Sequence, residues 1–158
     1  MTQSQSAPDW YFYHLERTTL EQAAGALLEK CLEHKKRVLA VSSEPTRRAA
    51  LDQALWTYAD DSFLPHGRAE AEGLDPTRQP ILITDVPNNQ NEASFCLLMD
   101  GMQLDDNGSG FERCMVMFDG GDQATRDVAR KQFKAAKDRG ETVRYFQQSG
   151  KGWKEAGK

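Results

Sequence analysis

The sequence lacks the glycine-rich turn with which most nucleotide-binding α/β domains hold phosphate. Such a turn leaves backbone N–H groups open at a helix N-terminus, where larger side chains would block the ligand. The first predicted strand is followed by Glu16-Arg17-Thr18-Thr19, and the second by Ser42-Ser43-Glu44-Pro45. Neither segment contains glycine, so neither is a Walker A loop or a dinucleotide fingerprint.

The chain also lacks paired cysteines, long apolar runs and a basic excess. Its three cysteines, Cys31, Cys96 and Cys114, are far apart and lie among apolar residues, which predicts buried free thiols and argues against a disulfide framework or a metal site. No apolar run approaches the roughly 20 residues of a membrane span. The net charge of −4 disfavours a general nucleic-acid coat protein. We therefore expect a cytoplasmic protein without a membrane anchor or sequence-specific nucleic-acid binding.

What the sequence contains is an alternation of short apolar strands and amphipathic helices over 158 residues, enough for one domain. An aromatic strand begins at Trp10, and a capping box of Thr18 and Glu21 starts the first helix. After a second strand, Ser43 is expected to cap a second helix that ends near Tyr58. This β-α-β-α order is typical of a parallel sheet covered by helices. We predict a single three-layer α/β/α domain with a mostly parallel sheet, resembling a mononucleotide-binding fold without a phosphate loop.

The second half of the chain continues the pattern. Further strands are predicted over residues 80–86, 94–99, 111–118 and 143–147, and a last helix over 123–139. We expect residues 1–9 to be a disordered lead-in, residues 10–148 to form the domain, and residues 149–158 to be a flexible tail rich in glycine and lysine.

The last predicted helix carries a basic face with an aromatic residue in it. The residues recurring at i, i+4, i+7 and i+11 are Arg126, Arg130, Phe133 and Lys137, with Lys134 beside them. The residues expected to pack on the sheet are Ala124, Val128 and Ala135. Such a face suits an acidic peptide, because arginine and lysine bind carboxylates and a ring lines an apolar pocket. An ordinary solvated face with Phe133 tucked into the core fits the pattern equally well.

A second cluster lies at a predicted helix–strand corner. Its members are Trp56, Phe63, Leu64 and Pro65. Large aromatic groups at such a corner form either the edge of the core or the anchor of an interface. The spacing of these residues does not decide between the two.

Acidic residues end several predicted strands and define an alternative function. Asp85 and Asp100 occupy strand ends, and Gly120-Gly121 lies between a strand and the last helix. Enzymes and nucleotide binders of the α/β class place their sites at such strand ends. The alternative is thus a small nucleotide-binding protein or enzyme that uses this edge, while solvated strand ends and a plain βα turn explain the same residues.

Four segments together resemble one known family. They are Leu51-Asp52-Gln53-Ala54-Leu55-Trp56, Ser62-Phe63-Leu64-Pro65-His66, the strand 80–85, and Ala129-Arg130-x-x-Phe133-Lys134. In this order they resemble the chi subunit of bacterial DNA polymerase III over residues 9–153. The second segment, following the first, is the most distinctive part.

The resemblance implies a non-catalytic accessory subunit that needs no cofactor. Chi proteins bind the acidic C-terminal tail of single-stranded DNA-binding protein (SSB) and the psi subunit, which links them to the clamp loader. By position, Arg126, Arg130, Phe133 and Lys134 match the tail-binding helix, on a face that Lys137 extends. Trp56 and Phe63 match the psi-facing corner, to which Leu64 and Pro65 belong. At this corner three alternatives remain open: psi, a helicase-like protein, or no partner.

Overall fold

Eight strands and three α-helices make up the described part of the chain. The computed structural model describes residues 7–57, 64–149 and 152–156. The strands are β1 Asp9–Leu15, β2 Val38–Val41, β3 Gly67–Arg68, β4 Ile81–Thr84, β5 Phe95–Met99, β6 Arg113–Asp119, β7 Val143–Ser149 and β8 Gly152–Ala156. The helices are α1 Leu20–Glu33, α2 Pro45–Trp56 and α3 Gln123–Asp138, with a 3-10 turn at Pro76–Arg78.

The strands form a single sheet in the order β3-β4-β2-β5-β6-β1-β7-β8. All neighbouring pairs are parallel except β7 and β8, which are antiparallel. The predicted α/β class with a mostly parallel sheet is confirmed. Because parallel strands end at the same edge, every βα loop that carries a candidate residue meets there.

Two apolar cores lie on opposite faces of this sheet. Strand β1 shows why, since its successive side chains alternate between the faces. Trp10 and Phe12 belong to the core beneath α3, whereas Tyr13 and Leu15 belong to the core beneath α1 and α2. Strands β2, β4 and β5 are buried along their whole length, as expected for strands covered on both faces.

Both predicted helix caps are displaced by one residue. Helix α1 is capped by Thr19, whose hydroxyl accepts from the backbone N–H of Gln22 at 3.2 Å while the Gln22 side chain bonds back. The predicted box of Thr18 and Glu21 is therefore wrong. Helix α2 has Glu44 at its N-cap without a side-chain bond, and the Ser43 cap is also wrong.

The C-terminal segment differs from the expected flexible tail. Strand β8 pairs with β7, and Trp153 packs edge-on against Tyr13 with ring centroids 5.4 Å apart. The Glu155 carboxylate also binds the Arg144 guanidinium at 2.7 Å. A short strand without apolar alternation is difficult to predict from sequence, because its pairing with the neighbouring strand supplies most of the stabilising contacts. The expected disorder of residues 1–9 lies largely outside the described residues, which begin at 7.

The predicted buried free thiols are confirmed for Cys31, Cys96 and Cys114. Burial raises the pKa of the Cys31 thiol to about 11 and that of Cys114 to about 12. Among the described residues no helix has the length and apolarity to cross a membrane. Within the same ranges, no group of three or more potential metal ligands occurs.

Candidate functional site

Helix α3 begins at a side-chain cap on the edge where the parallel strands end. The Asp122 carboxylate accepts from the backbone N–H groups of Ala124 at 3.1 Å and Thr125 at 3.4 Å, which satisfies the first turn. The helix then buries one face against the sheet. The buried residues of this face are Ala129, Gln132 and Ala136.

This buried face is not the predicted one. Ala124 and Ala135 are exposed and Val128 is only partly buried, so the predicted packing face is wrong. The spacing of apolar residues does not reveal this packing face, because Gln132 is polar. Its side chain is nevertheless buried, and its amide donates to the Met102 carbonyl at 3.1 Å. A buried polar group with a partner can occupy a helix face that a count of apolar residues would reject.

The basic face lies beside the buried one, turned toward β1 and β7. Arg130, Lys134 and Lys137 are exposed, and Arg126 is partly buried. The Arg126 guanidinium donates to the Gly120 carbonyl at 3.3 Å, which holds it at the start of the helix. Lys134 pairs with Asp138 at 2.9 Å, but both side chains are mostly exposed and the pair contributes little to stability.

Phe133 forms the boundary between the basic face and the core. Its ring packs edge-on against Phe12 at 5.4 Å and against Tyr145 at 5.9 Å. The ring remains partly exposed, and the Lys137 ammonium lies 6.0 Å from its centroid. One part of the ring therefore packs inward, while the other part borders the cations.

A histidine–tyrosine pair joins this surface. The Nδ1 atom of His14 lies 2.6 Å from the Tyr145 hydroxyl. Burial lowers the pKa of His14, Arg126 and Arg130 lower it further, and nearby Glu16 opposes them. The neutral ring then accepts the hydroxyl hydrogen. Burial also raises the pKa of Tyr145, which keeps it a donor.

His14 is hydrogen-bonded, and its side chain is only partly buried. Sequence reasoning missed Tyr145 at this surface. The signal was the parallel pairing of β1 and β7, which sets Phe12 opposite Tyr145 and His14 two residues further on the same face. That register follows from the order of the strands in the sheet, and no local motif reveals it.

A shallow depression at the end of β1 and β6 lies next to Arg126. His14 and Glu16 form one wall, and Gly120 with Gly121 forms the other. A Cβ atom on Gly120 would lie 2.0 Å from His14 Nε2 and 3.0 Å from the Leu15 carbonyl oxygen. Gly120 therefore permits the close contact of the β6–α3 turn with β1. This packing explains the glycine without a phosphate ligand.

The crevice between α1, α2 and the start of α3 is dominated by carboxylates. Asp100 accepts from the Ser42 hydroxyl at 2.5 Å and from Arg47 at 3.1 Å, and Arg47 also binds Glu21. Two further carboxylates, Glu44 and Asp122, line the same crevice. Four acids around a single arginine repel phosphate, so this edge does not favour a nucleotide.

Asp85 takes no part in that crevice. It is exposed after β4, whereas Asp100 follows β5, and β2 lies between these two strands. The structure therefore does not bring the two predicted strand-end acids together. Asp100 holds Ser42 and Arg47 in place, which is a structural role.

The corner predicted from Trp56, Phe63, Leu64 and Pro65 is only partly described, because Phe63 lies outside the described residues. Trp56 ends α2 with 57% of its surface exposed, and its ring meets His66 edge-on at 5.5 Å. The His66 ring is held by Asp52 at 2.8 Å. Leu64 is buried and Pro65 exposed. Trp56 is thus a surface aromatic residue that packs against the hydrogen-bonded His66 ring, while Leu64 belongs to the core.

The fold and these surfaces define a class of protein: a single-sheet α/β domain with an acidic strand edge, a basic helix face and an exposed aromatic corner. Comparison with known proteins gives the family. The family model described as "DNA polymerase III chi subunit, HolC" matches residues 8–144. The chain belongs to the DNA polymerase III chi subunit family.

A curated relative agrees with this assignment. "Probable DNA polymerase III subunit chi" from Rickettsia prowazekii (strain Madrid E) is 31% identical over 87 residues. These residues make up 55% of this chain and 52% of the relative. The matched stretch thus spans about half the length of that protein.

The two glycines after β6 give a matched test of the local packing. Gly120→Ala should lower the free energy of unfolding by about 1–3 kcal/mol, because the added methyl group overlaps His14 and the β1 backbone. Gly121→Ala should change it by less than about 0.5 kcal/mol, since the nearest atom is Asp119 Oδ1 at 3.4 Å. Urea unfolding measures both, and equal effects would contradict the packing role of Gly120.

Proposed function

We propose that this protein is a non-catalytic accessory subunit of a cytoplasmic DNA polymerase III holoenzyme. It binds the acidic C-terminal tail of SSB on the basic face of α3 and contacts the clamp loader through a partner at the Trp56 corner. Membership of the chi family supports the holoenzyme assignment. The observation that carries the tail-binding site is the basic face with Phe133 at its border.

Two of the charges on this face are available for a ligand. Arg130 and Lys137 make no ion pair with any residue in the described ranges, and Arg130 is exposed. A guanidinium donates to both oxygens of a carboxylate, which favours arginine at the centre of such a site. The partly exposed edge of Phe133 adds apolar contact for a peptide side chain. Because the whole chain has a net charge of −4, this face is a local attraction for an acidic peptide.

Replacing Arg130 tests the site. Wild-type protein should bind an SSB tail peptide with a dissociation constant near the micromolar range, about −8 kcal/mol, and more weakly as salt is added. Arg130→Ala should reduce the affinity at least about tenfold without altering the melting temperature, because the side chain is exposed. Isothermal titration calorimetry measures the affinity.

Lys131→Ala is the control, since Lys131 is also exposed on α3 but lies on a different face from Arg130. It should leave peptide affinity within about twofold of wild type. Equal losses in the two variants would show that the peptide responds only to overall charge.

His14 provides a pH test of the same site. Without peptide, His14 should have a pKa below the ordinary value of histidine, because burial and the charges of Arg126 and Arg130 disfavour the imidazolium. An acidic peptide bound next to Arg126 and Arg130 adds negative charge and should raise that pKa. By linkage, the peptide should then bind more tightly as the pH falls through the raised value. NMR titration of the His14 ring with and without peptide measures this, and an unchanged pKa would place the peptide elsewhere.

Trp56 tests the second contact. Trp56→Ala should abolish capture of a psi or clamp-loader partner in a pull-down and leave the affinity for the SSB tail unchanged, because the exposed ring lies on α2, away from α3. Val86→Ala, which shortens another exposed apolar side chain, should retain the partner. Retention of the partner by Trp56→Ala would overturn this assignment.

A further inference from the structure

A cavity lies on the face of the sheet opposite the basic face. It occupies about 300 Å³ between α1 and the β7–β8 hairpin, a volume at the lower end of small-molecule sites. Its walls are largely apolar and include Leu27, Met117, Phe146 and Trp153. Phe146 and Trp153 follow residue 144, where the match to the chi family ends. The β7–β8 hairpin therefore supplies two walls of the cavity that lie outside the residues matched by the family model.

The aromatic wall of the cavity is ordered by ring contacts. Tyr13 stacks on Phe146 with centroids 5.3 Å apart and meets Trp153 edge-on at 5.4 Å. Trp153 is 38% exposed, so the cavity opens to solvent beside this residue. Rings in this arrangement suit a flat aromatic guest, which can add a further stacked or edge-on contact.

The cations of the cavity have no internal counter-charge. Arg113 and Lys30 both line it, and neither makes an ion pair with any residue that the structure describes. No lining residue in those ranges is acidic. Arg113 is partly buried, and a bound carboxylate would supply its guanidinium with the charged partner that the cavity walls do not offer.

Arg113 is also held in place before any ligand binds. Its guanidinium carbon lies 4.0 Å from the Tyr11 ring centroid and 4.6 Å from that of Phe95. The buried Nε atom has no hydrogen-bond partner in the described part of the chain. A cation fixed between two rings loses little side-chain entropy on binding an anion, so the site is preorganised.

We propose that this cavity binds a small aromatic carboxylate. The ring of the ligand lies against Phe146 and Trp153, and its carboxylate binds Arg113 with Lys30 at the rim. The small volume favours such a molecule over a peptide, which needs an extended groove. The proposal is independent of the SSB-tail site, which lies on the other face of the sheet.

The test uses 2-naphthoate as the probe and its neutral analogue 2-naphthamide as the matched control, both titrated into the full-length protein and followed by NMR. Naphthoate should bind saturably with a dissociation constant of about 0.1 mM. The amide should bind at least about tenfold weaker, because it offers no charge to Arg113. Equal binding of the two probes, or no saturation by naphthoate, would overturn the proposal without any variant.

Variants then locate the site. Arg113→Met should reduce naphthoate binding to the level of the amide, whereas Arg78→Met, at an exposed arginine of the 3-10 turn, should not. Trp153→Ala should weaken both probes about fivefold or more. Full displacement of naphthoate by an SSB tail peptide would instead make the cavity part of a peptide surface. An unchanged carboxylate preference in folded Arg113→Met would also refute the assignment.

Discussion

Strand β1 separates the two surfaces for which ligands are proposed. It lies between β6 and β7, and its alternation sends Phe12 and His14 toward α3 but Tyr13 toward α1. Phe12 supports Phe133 and thereby the basic face, whereas Tyr13 supports the aromatic wall of the cavity. A shift of β1 by one residue against its neighbours would exchange these roles. Both surfaces therefore depend on the register of one aromatic strand.

Charge is distributed unevenly around the same sheet. The strand edge gathers carboxylates around Arg47, while the first exposed cation of α3, Arg130, lies about two turns beyond the Asp122 cap. Under the proposed function, the crevice would repel an acidic ligand that approaches this edge and Arg130 would attract it. Such a pattern contributes more to orientation and association rate than to final affinity. The proposed site for an acidic partner is therefore compatible with the net acidic charge of the chain.

The fold was largely predictable because its strands are apolar runs and its helices have regular apolar spacing. The wrong and missing predictions have identifiable physical causes. The packing face of α3 was misjudged because a satisfied Gln132 replaces an apolar residue. Strand β8 was overlooked because it forms only by pairing with β7. The basic residues of the candidate site are visible from helical spacing, but the surroundings of Tyr145 and Arg113 depend on contacts between distant segments.

The two outer strands of the sheet, β3 and β8, affect self-association. An open strand edge offers unpaired N–H and C=O groups to another molecule, and long flat edges promote aggregation. Here one outer strand, β3, has only two residues, and the other, β8, carries Lys154 beside Glu155. Neither edge is a good template for edge-to-edge pairing. The hairpin that completes the cavity therefore also places a short, charged strand where β7 would otherwise meet solvent.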